Sequence, residues 1–248
     1  MEPLYRTLEI AAVSMARVLG TTITYRGMEN IPARGGAVVA INHTSYVDFL
    51  PAGLAGRKRR RWIRLMPKAE MQKVGIVNFV IKHTGAIPVN REAGAAAYAE
   101  AVRVLQAGEV VGVYPEGTIS RSFELKEFKS GTARMALEAQ VPIVPMIIWG
   151  TQRMWTKDHP KRLGRNKIPI IVRAGTPLPP TGTPAELDAA LRTSMTALLH
   201  EVQEQYPHPP GAYWVPRRLG GGAPTPAEAT RLDEAESAER ARRAAESG

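Results

Sequence analysis

Short apolar runs alternate with helical stripes along most of this chain. "TTITYRG" (21–27) has β-branched alternation closed by a glycine, which predicts a strand. "GAVVAIN" (36–42) is apolar at successive positions, as in a strand buried on both faces. Further strands are predicted at 62–68, 85–89, 109–115, 142–150 and 167–175. Helices are predicted at 46–56, 92–108, 131–140 and 183–206, with a broken helical pattern at 69–83; Gly108 stands where a C-cap is expected. Such alternation defines an α/β fold, a largely parallel central sheet flanked by helices, with function at the loops beyond the strand ends. Pro142 and Pro145 bracket a short apolar strand and mark its entry or a bulge, because proline cannot donate to a central ladder.

The ends of the chain read differently. Residues 3–19 form an amphipathic helical pattern interrupted by Arg6, Glu9 and Arg17, fitting either an interfacial helix or a core-packing one. From Pro207 the chain is rich in Pro and Gly and reads as an extended exit segment. The final stretch is Ala, Glu and Arg with almost no large apolar residues, and is expected to be disordered or marginally helical. The expected organisation is therefore an N-terminal helix over 1–20, one α/β domain over 21–206, and an exit segment with tail over 207–248. Neither a signal-peptide pattern nor an uncharged apolar span of about 20 residues is present.

Charge changes this picture more than composition does. The 248 residues carry a net charge of +10, and no cysteine, which excludes disulfides and thiolate chemistry. Residues 221–248 hold 4 Arg against 6 Asp and Glu, so the basic excess belongs to the rest of the chain. Its densest block is Arg57–Arg61, all cationic, which reads as a solvated loop or as a contact for an anionic partner. No zinc-finger, RRM or recognition-helix pattern surrounds it, so nucleic acid is not the expected partner.

Candidate chemistry begins at "INHTSYVDFL" (41–50). His43 and Asp48 lie five residues apart, a spacing that a regular helix or strand sends to different faces. They can meet only if the backbone turns between them. A strand ending at Ile41 and a helix capped by Ser45 supply that turn. Asp48 could then orient the imidazole as a general base. The alternative is a Ser45-x-x-Asp48 capping box with His43 a plain loop residue.

Glu116, Gly117, Thr118 and Arg121 follow the strand ending "VYP", and Lys126 and Lys129 precede a helix that Ser130 would cap; both suit an anionic ligand or a solvated loop. Arg91 follows another strand. The five histidines lack metal-ligand spacing, and no GxSxG, P-loop or GxGxxG pattern occurs.

Taken in order, four stretches resemble the 1-acylglycerol-3-phosphate acyltransferase family of glycerolipid acyltransferases, most closely its actinobacterial members. They are Asn42-His43-x4-Asp48; Gly85, Ile87 and Arg91; Tyr114-Pro115-Glu116-Gly117-Thr118; and Val141 to Pro145. Lys68 also looks like a family lysine, and the resemblance covers about residues 20–175. It implies acyl transfer from acyl-CoA or acyl carrier protein to lysophosphatidic acid, giving phosphatidic acid, with His43 as base oriented by Asp48. No metal and no cofactor beyond the acyl thioester co-substrate is implied.

Arg91, Lys68, Lys126, Lys129 and the loop carrying Glu116, Gly117, Thr118 and Arg121 would hold the substrate phosphate, with backbone N–H groups near that loop for the oxyanion. Residues 3–19 and Arg57–Arg61 would then meet an anionic membrane surface, peripherally or as a monotopic protein on its cytoplasmic face. The same patch could meet an acyl carrier protein. The chain departs from the family pattern at Ile119, where an Arg is usual, and at Asn90, where an Asp is common. Either Arg121 substitutes through a shifted loop, or phosphate binding leans on Arg91, Lys126 and Lys129. The same chemistry on another acceptor, such as glycerol 3-phosphate or a different lysolipid, and a non-catalytic anionic-lipid-binding protein are the competing readings.

Overall fold

The computed structural model describes residues 20–69, 84–89 and 94–246, with scattered positions between 7 and 18 and at 72 and 78. The described positions within 7–18 are helical, and Ile10 and Val18 among them are exposed. The expected helical pattern over 69–83 and the residue Arg91 lie almost wholly or wholly outside the described residues.

Six strands form one sheet: β1 (Ile23–Arg26), β2 (Ala37–Ile41), β3 (Ile63–Leu65), β4 (Val110–Val113), β5 (Ile143–Trp149) and β6 (Ile170–Ala174). Their order is β1-β6-β5-β2-β4-β3, parallel throughout except for the β5–β6 pair. Helices α1 (Phe49–Arg57), α2 (Gly94–Gln106), α3 (Gly131–Ala139) and α4 (Pro184–Gln205) cover it, and α5 (Pro226–Glu246) follows. The expected α/β architecture is the observed one.

The continuous apolar runs are explained by two cores. In β2, Val38 and Ala40 face a cluster built with α2, α3 and α4, while Ala37, Val39 and Ile41 face a second one with α1. On α4, Leu191, Met195 and Leu199 fall at i, i+4 and i+8 and are fully buried, each contributing about 1.5–3 kcal/mol. A capping box of Thr183 and Glu186 starts that helix.

Three expectations need correction. The strand expected at 85–89 is reduced to edge pairing: Ile87 donates to Leu65 and Val89 to Pro67, with one bridge from Val89 to Lys68. The exit segment, expected to be extended, is built of turns and a short 3-10 helix (Arg217–Leu219), and Trp214, Val215 and Ala223 are buried in the main core.

The tail, expected to be disordered or marginal, is the helix α5. Thr225 and Glu228 cap it reciprocally, and i,i+4 pairs of Arg240 with Glu236 and Arg243 with Glu239 run along it. Its attachment is polar rather than apolar, which is why hydrophobic patterning does not reveal it.

Pro145 sits at a bulge. The β5–β6 ladder pairs Met146 with Ala174 but Ile143 with Leu178, one residue out of register. The Pro145 carbonyl accepts from Gly175 there, at the point where an N–H is dispensable.

Candidate active site

Strand order diverges at β2, which has β4 on one side and β5 on the other, all three parallel. Their C-terminal ends therefore release three loops at one edge of the sheet: 42–48, 114–123 and 150–158. Asn42 extends the sheet pattern by a side chain, donating to the Ile148 carbonyl (3.1 Å) and accepting from its N–H (2.7 Å). This anchors the residue before His43.

His43 Nδ1 lies 3.1 Å from Asp48 Oδ2. The same oxygen accepts the N–H groups of Thr44 and Ser45, each at 2.8 Å, and Asp48 Oδ1 accepts the Thr151 hydroxyl at 2.5 Å. Asp48 is fully buried, while the His43 side chain retains 21% exposure. Fourfold acceptance at Asp48 assigns the proton to His43 Nδ1 and leaves Nε2 as the basic nitrogen. His43 stacks on Tyr114 with centroids 4.2 Å apart. An imidazolium formed there would gain from the ring face.

The helix after the turn starts later than the sequence suggests. α1 begins at Phe49, and residues 46–48 form a turn. The Ser45 hydroxyl accepts from Val47 N–H and donates to the Thr151 and Trp155 carbonyls. One half of the capping box exists, since Ser45 N–H donates to Asp48, but that carboxylate serves His43 as well.

Glu116 is buried and binds two loops together. Its Oε1 accepts the His43 N–H (2.8 Å) and its Oε2 the Lys126 N–H (3.0 Å). Burial pushes this carboxyl up to about 8, against the downward pull of those two N–H groups. Ser120 N–H donates to the His43 carbonyl (2.8 Å), a second tie between the loops. Gly117 holds φ 68°, and a Cβ there would meet Lys129 Cε at 2.9 Å, so glycine suits both the turn and the lysine lying over it. Thr118 follows, half-buried, and Ile119 is buried at 3% exposure.

The expected phosphate ligands divide. Arg121 and Lys126 come together, but on acidic partners: Arg121 meets Asp158, Asp233 and Glu236, and Lys126 meets Asp233. Lys129 is exposed beside Gly117, and Lys68 lies beyond the end of β3. Thr151, Lys157 and the acids of α5 stand outside every motif in the sequence, and Tyr114, named there only as part of the 114–118 stretch, is the ring on which His43 stacks. Thr151 and Lys157 follow the Gly150 that ends β5, the single local signal that this strand also feeds the site.

Within the basic run, Arg59 donates to the Ile31 carbonyl, and Arg61 to those of Pro32, Gly35 and Gly108. Arg57, Lys58 and Arg60 remain exposed. No helix among the described residues is long and apolar enough to cross a membrane.

The site is thus a parallel-sheet edge in an α/β fold that carries a histidine held by a buried carboxylate. The family model described as Acyltransferase matches residues 22–149, and the chain belongs to that family. Among curated relatives, the 1-acyl-sn-glycerol-3-phosphate acyltransferase of Borreliella burgdorferi is 30% identical over 56% of this chain and 56% of its own. That of Bacillus subtilis is 32% identical over 49% of this chain and 60% of its own. The alpha enzyme of mouse is 26% identical over 79% and 70%. The chain thus spans a little over half the length of the two bacterial relatives. The crystal structure of the 1-acyl-sn-glycerophosphate (LPA) acyltransferase from Thermotoga maritima shares the fold, with a TM-score of 0.65, 21% identity, and 84% and 86% of the two chains covered.

Proposed function

We propose that this protein transfers an acyl chain from a thioester, acyl-CoA or acyl carrier protein, to the free hydroxyl of lysophosphatidic acid, giving phosphatidic acid. The observation that carries the reading is the 3.1 Å contact of His43 Nδ1 with a buried, fourfold-bonded Asp48, in a chain of the acyltransferase family.

His43 Nε2 takes the hydroxyl proton as that oxygen attacks the thioester carbonyl. The new C–O bond forms, the C–S bond breaks, and the departing thiolate takes the proton back from the imidazolium. Neither an acyl-enzyme nor a cofactor enters this sequence. Gly117 and Ser120 N–H groups are committed to the Tyr114 and His43 carbonyls, so those of Thr118 and Ile119 are the loop's candidates for the oxyanion. Arg121 and Lys126, with Lys129, Lys68 and Arg91, are the proposed cations for the acceptor phosphate. Exposed Arg57, Lys58 and Arg60, with residues 3–19, are the proposed contact with an anionic membrane on its cytoplasmic side.

Burial of Ile119, at the position where the family pattern it resembles has an Arg, favours one second reading, the same chemistry on another phosphate-bearing acceptor such as glycerol 3-phosphate. Thiol release from acyl-CoA, measured with either acceptor, tests both. Wild type should turn over lysophosphatidic acid, while His43→Ala and Asp48→Asn should lose at least about a hundredfold in kcat, the usual contribution of a positioned base. Equal turnover by all three proteins would refute the dyad. Preference for glycerol 3-phosphate would select the second reading.

A further inference from the structure

The contact face of α5 is acidic. Its inward positions are Ala229, Asp233 and Glu236, at i, i+4 and i+7, and of these only Ala229 is buried. Leu232, the helix's large apolar side chain, is 45% exposed. The ion pairs of the helix's inward face go to three cations from two loops: Arg121 and Lys126 from the β4–α3 connection, and Lys157 from the segment after β5. Asp233 contacts all three, and Glu236 contacts Arg121 and Lys157, each at 2.9 Å. The arginine and the two lysines are 8%, 24% and 10% exposed, so the helix largely shuts them from solvent.

This cluster adjoins the proposed base. Lys126 N–H binds Glu116, whose other oxygen binds His43 N–H. Tyr46, three residues beyond His43, is within range of the charges of Glu236, Asp158, Arg240 and Arg121.

We propose that α5 is a built-in occupant of an anion site formed by Arg121, Lys126 and Lys157, and that a phosphomonoester must displace Asp233 and Glu236 to bind there. The inference rests on the acyl-transfer reading only in naming the acceptor phosphate as that ligand. Two carboxylates on one helix face match the charge of a phosphate dianion, about −1.5 to −2. With Asp158 they already balance the three cations, so a dianion added to the docked state would sit among excess negative charge. Exchange of one anion for the other keeps the balance.

The geometry permits release as a unit. The chain is held firmly up to Ala223, which is fully buried and donates to the Val215 carbonyl, and α5 begins at Pro226 with its own cap. Lys157, which no motif marks, becomes a phosphate ligand, and α5 becomes an autoinhibitory latch.

The test uses full-length protein, a short-chain lysophosphatidic acid below its micelle concentration, and two variants. Asp233→Asn/Glu236→Gln removes the internal anion and keeps the cations. Its KM for the acceptor should fall about tenfold, equivalent to about 1.4 kcal/mol. Lys157→Gln loosens α5 as well but removes a ligand, so its KM should rise. Amide hydrogen exchange over 226–246 should increase in both variants, and in wild type on adding inorganic phosphate.

A merely structural helix predicts that the two variants shift KM in the same direction and that phosphate leaves exchange unchanged; that pair of results overturns the latch. A lowered KM for acyl-CoA instead of acceptor would support the latch and assign the site to the donor's phosphate. Phosphate-dependent exchange without turnover of lysophosphatidic acid would keep the latch and reject the acceptor reading.

Discussion

Thr151 donates its hydroxyl to the one Asp48 oxygen that His43 does not share. Thr151→Val keeps the shape and leaves that buried oxygen short of a partner, at a cost of about 1–3 kcal/mol. Part of that cost falls on the orientation of His43, so kcat should drop about tenfold with little change in either KM. Thr151→Ser should restore it, and steady-state kinetics of the two variants decides the point. Glu116 makes a different prediction. Its folded value, pushed up to about 8, stands above an unfolded value of about 4.3, so its contribution to stability is full below pH 4 and declines as pH rises through 8. In Glu116→Gln this decline should disappear, and the variant should be less stable at pH 5 because an amide NH2 would face one of the two backbone N–H donors. Urea midpoints from pH 5 to 8 measure both effects. His43, Asp48 and Glu116 were legible in the sequence because each lies within a short strand-to-loop segment. Thr151 was not, since only the β2–β5 pairing brings it within reach of a residue 103 positions earlier.

Elements were legible where burial is two-sided. β2 and β5 are apolar at every position because helices cover both faces, and both stand close to their expected ranges. The 85–89 segment looked similar but lies at the sheet edge beyond β3, where it gains two carbonyl partners and no full ladder. The basic run at the end of α1 illustrates the converse: five adjacent cations look equivalent in sequence, yet two of them bond backbone carbonyls and three stay exposed. Arg61 closes three backbone carbonyls from two loops, and Arg59 a fourth. Arg61→Ala should therefore lower stability by about 1–3 kcal/mol, read from urea denaturation. Replacing Arg57, Lys58 and Arg60 by Gln should cost less than that, Lys58 giving up its place 5.5 Å over the Tyr25 ring. On the membrane contact proposed for this patch, it should weaken sedimentation with anionic liposomes by about 1 kcal/mol per residue. Loss of liposome binding on changing Arg61 alone, with stability intact, would reverse these assignments.

Across the whole molecule, charge is segregated: the last 28 residues carry net negative charge against a strongly basic remainder. Sequence patterning registers the imbalance but not its consequence, because α5 docks by ion pairs rather than by an apolar stripe. Those pairs give the attachment its own pH and salt dependence. Burial alone would raise Glu236, yet hydrogen bonds from Lys157 and Arg121, with Arg240 nearby, bring it down to about 2; Asp233 is lowered likewise against its burial by Lys126 and Lys157. Both folded values lie below the unfolded carboxylate range of about 3.9–4.3. Their contribution is therefore present above about pH 4.5 and lost as pH falls toward 2. Amide exchange over 226–246, corrected for the intrinsic pH dependence, should be flat from pH 8 to 5 and rise between pH 4 and 2. Raising salt to 1 M at pH 7 shortens the screening length to about 3 Å and should loosen α5 without unfolding α4, whose attachment is apolar. In Asp233→Asn/Glu236→Gln neither acid nor salt should have further effect on this segment. A tail whose exchange follows the melting of the core under both treatments would instead be bound by something other than these carboxylates.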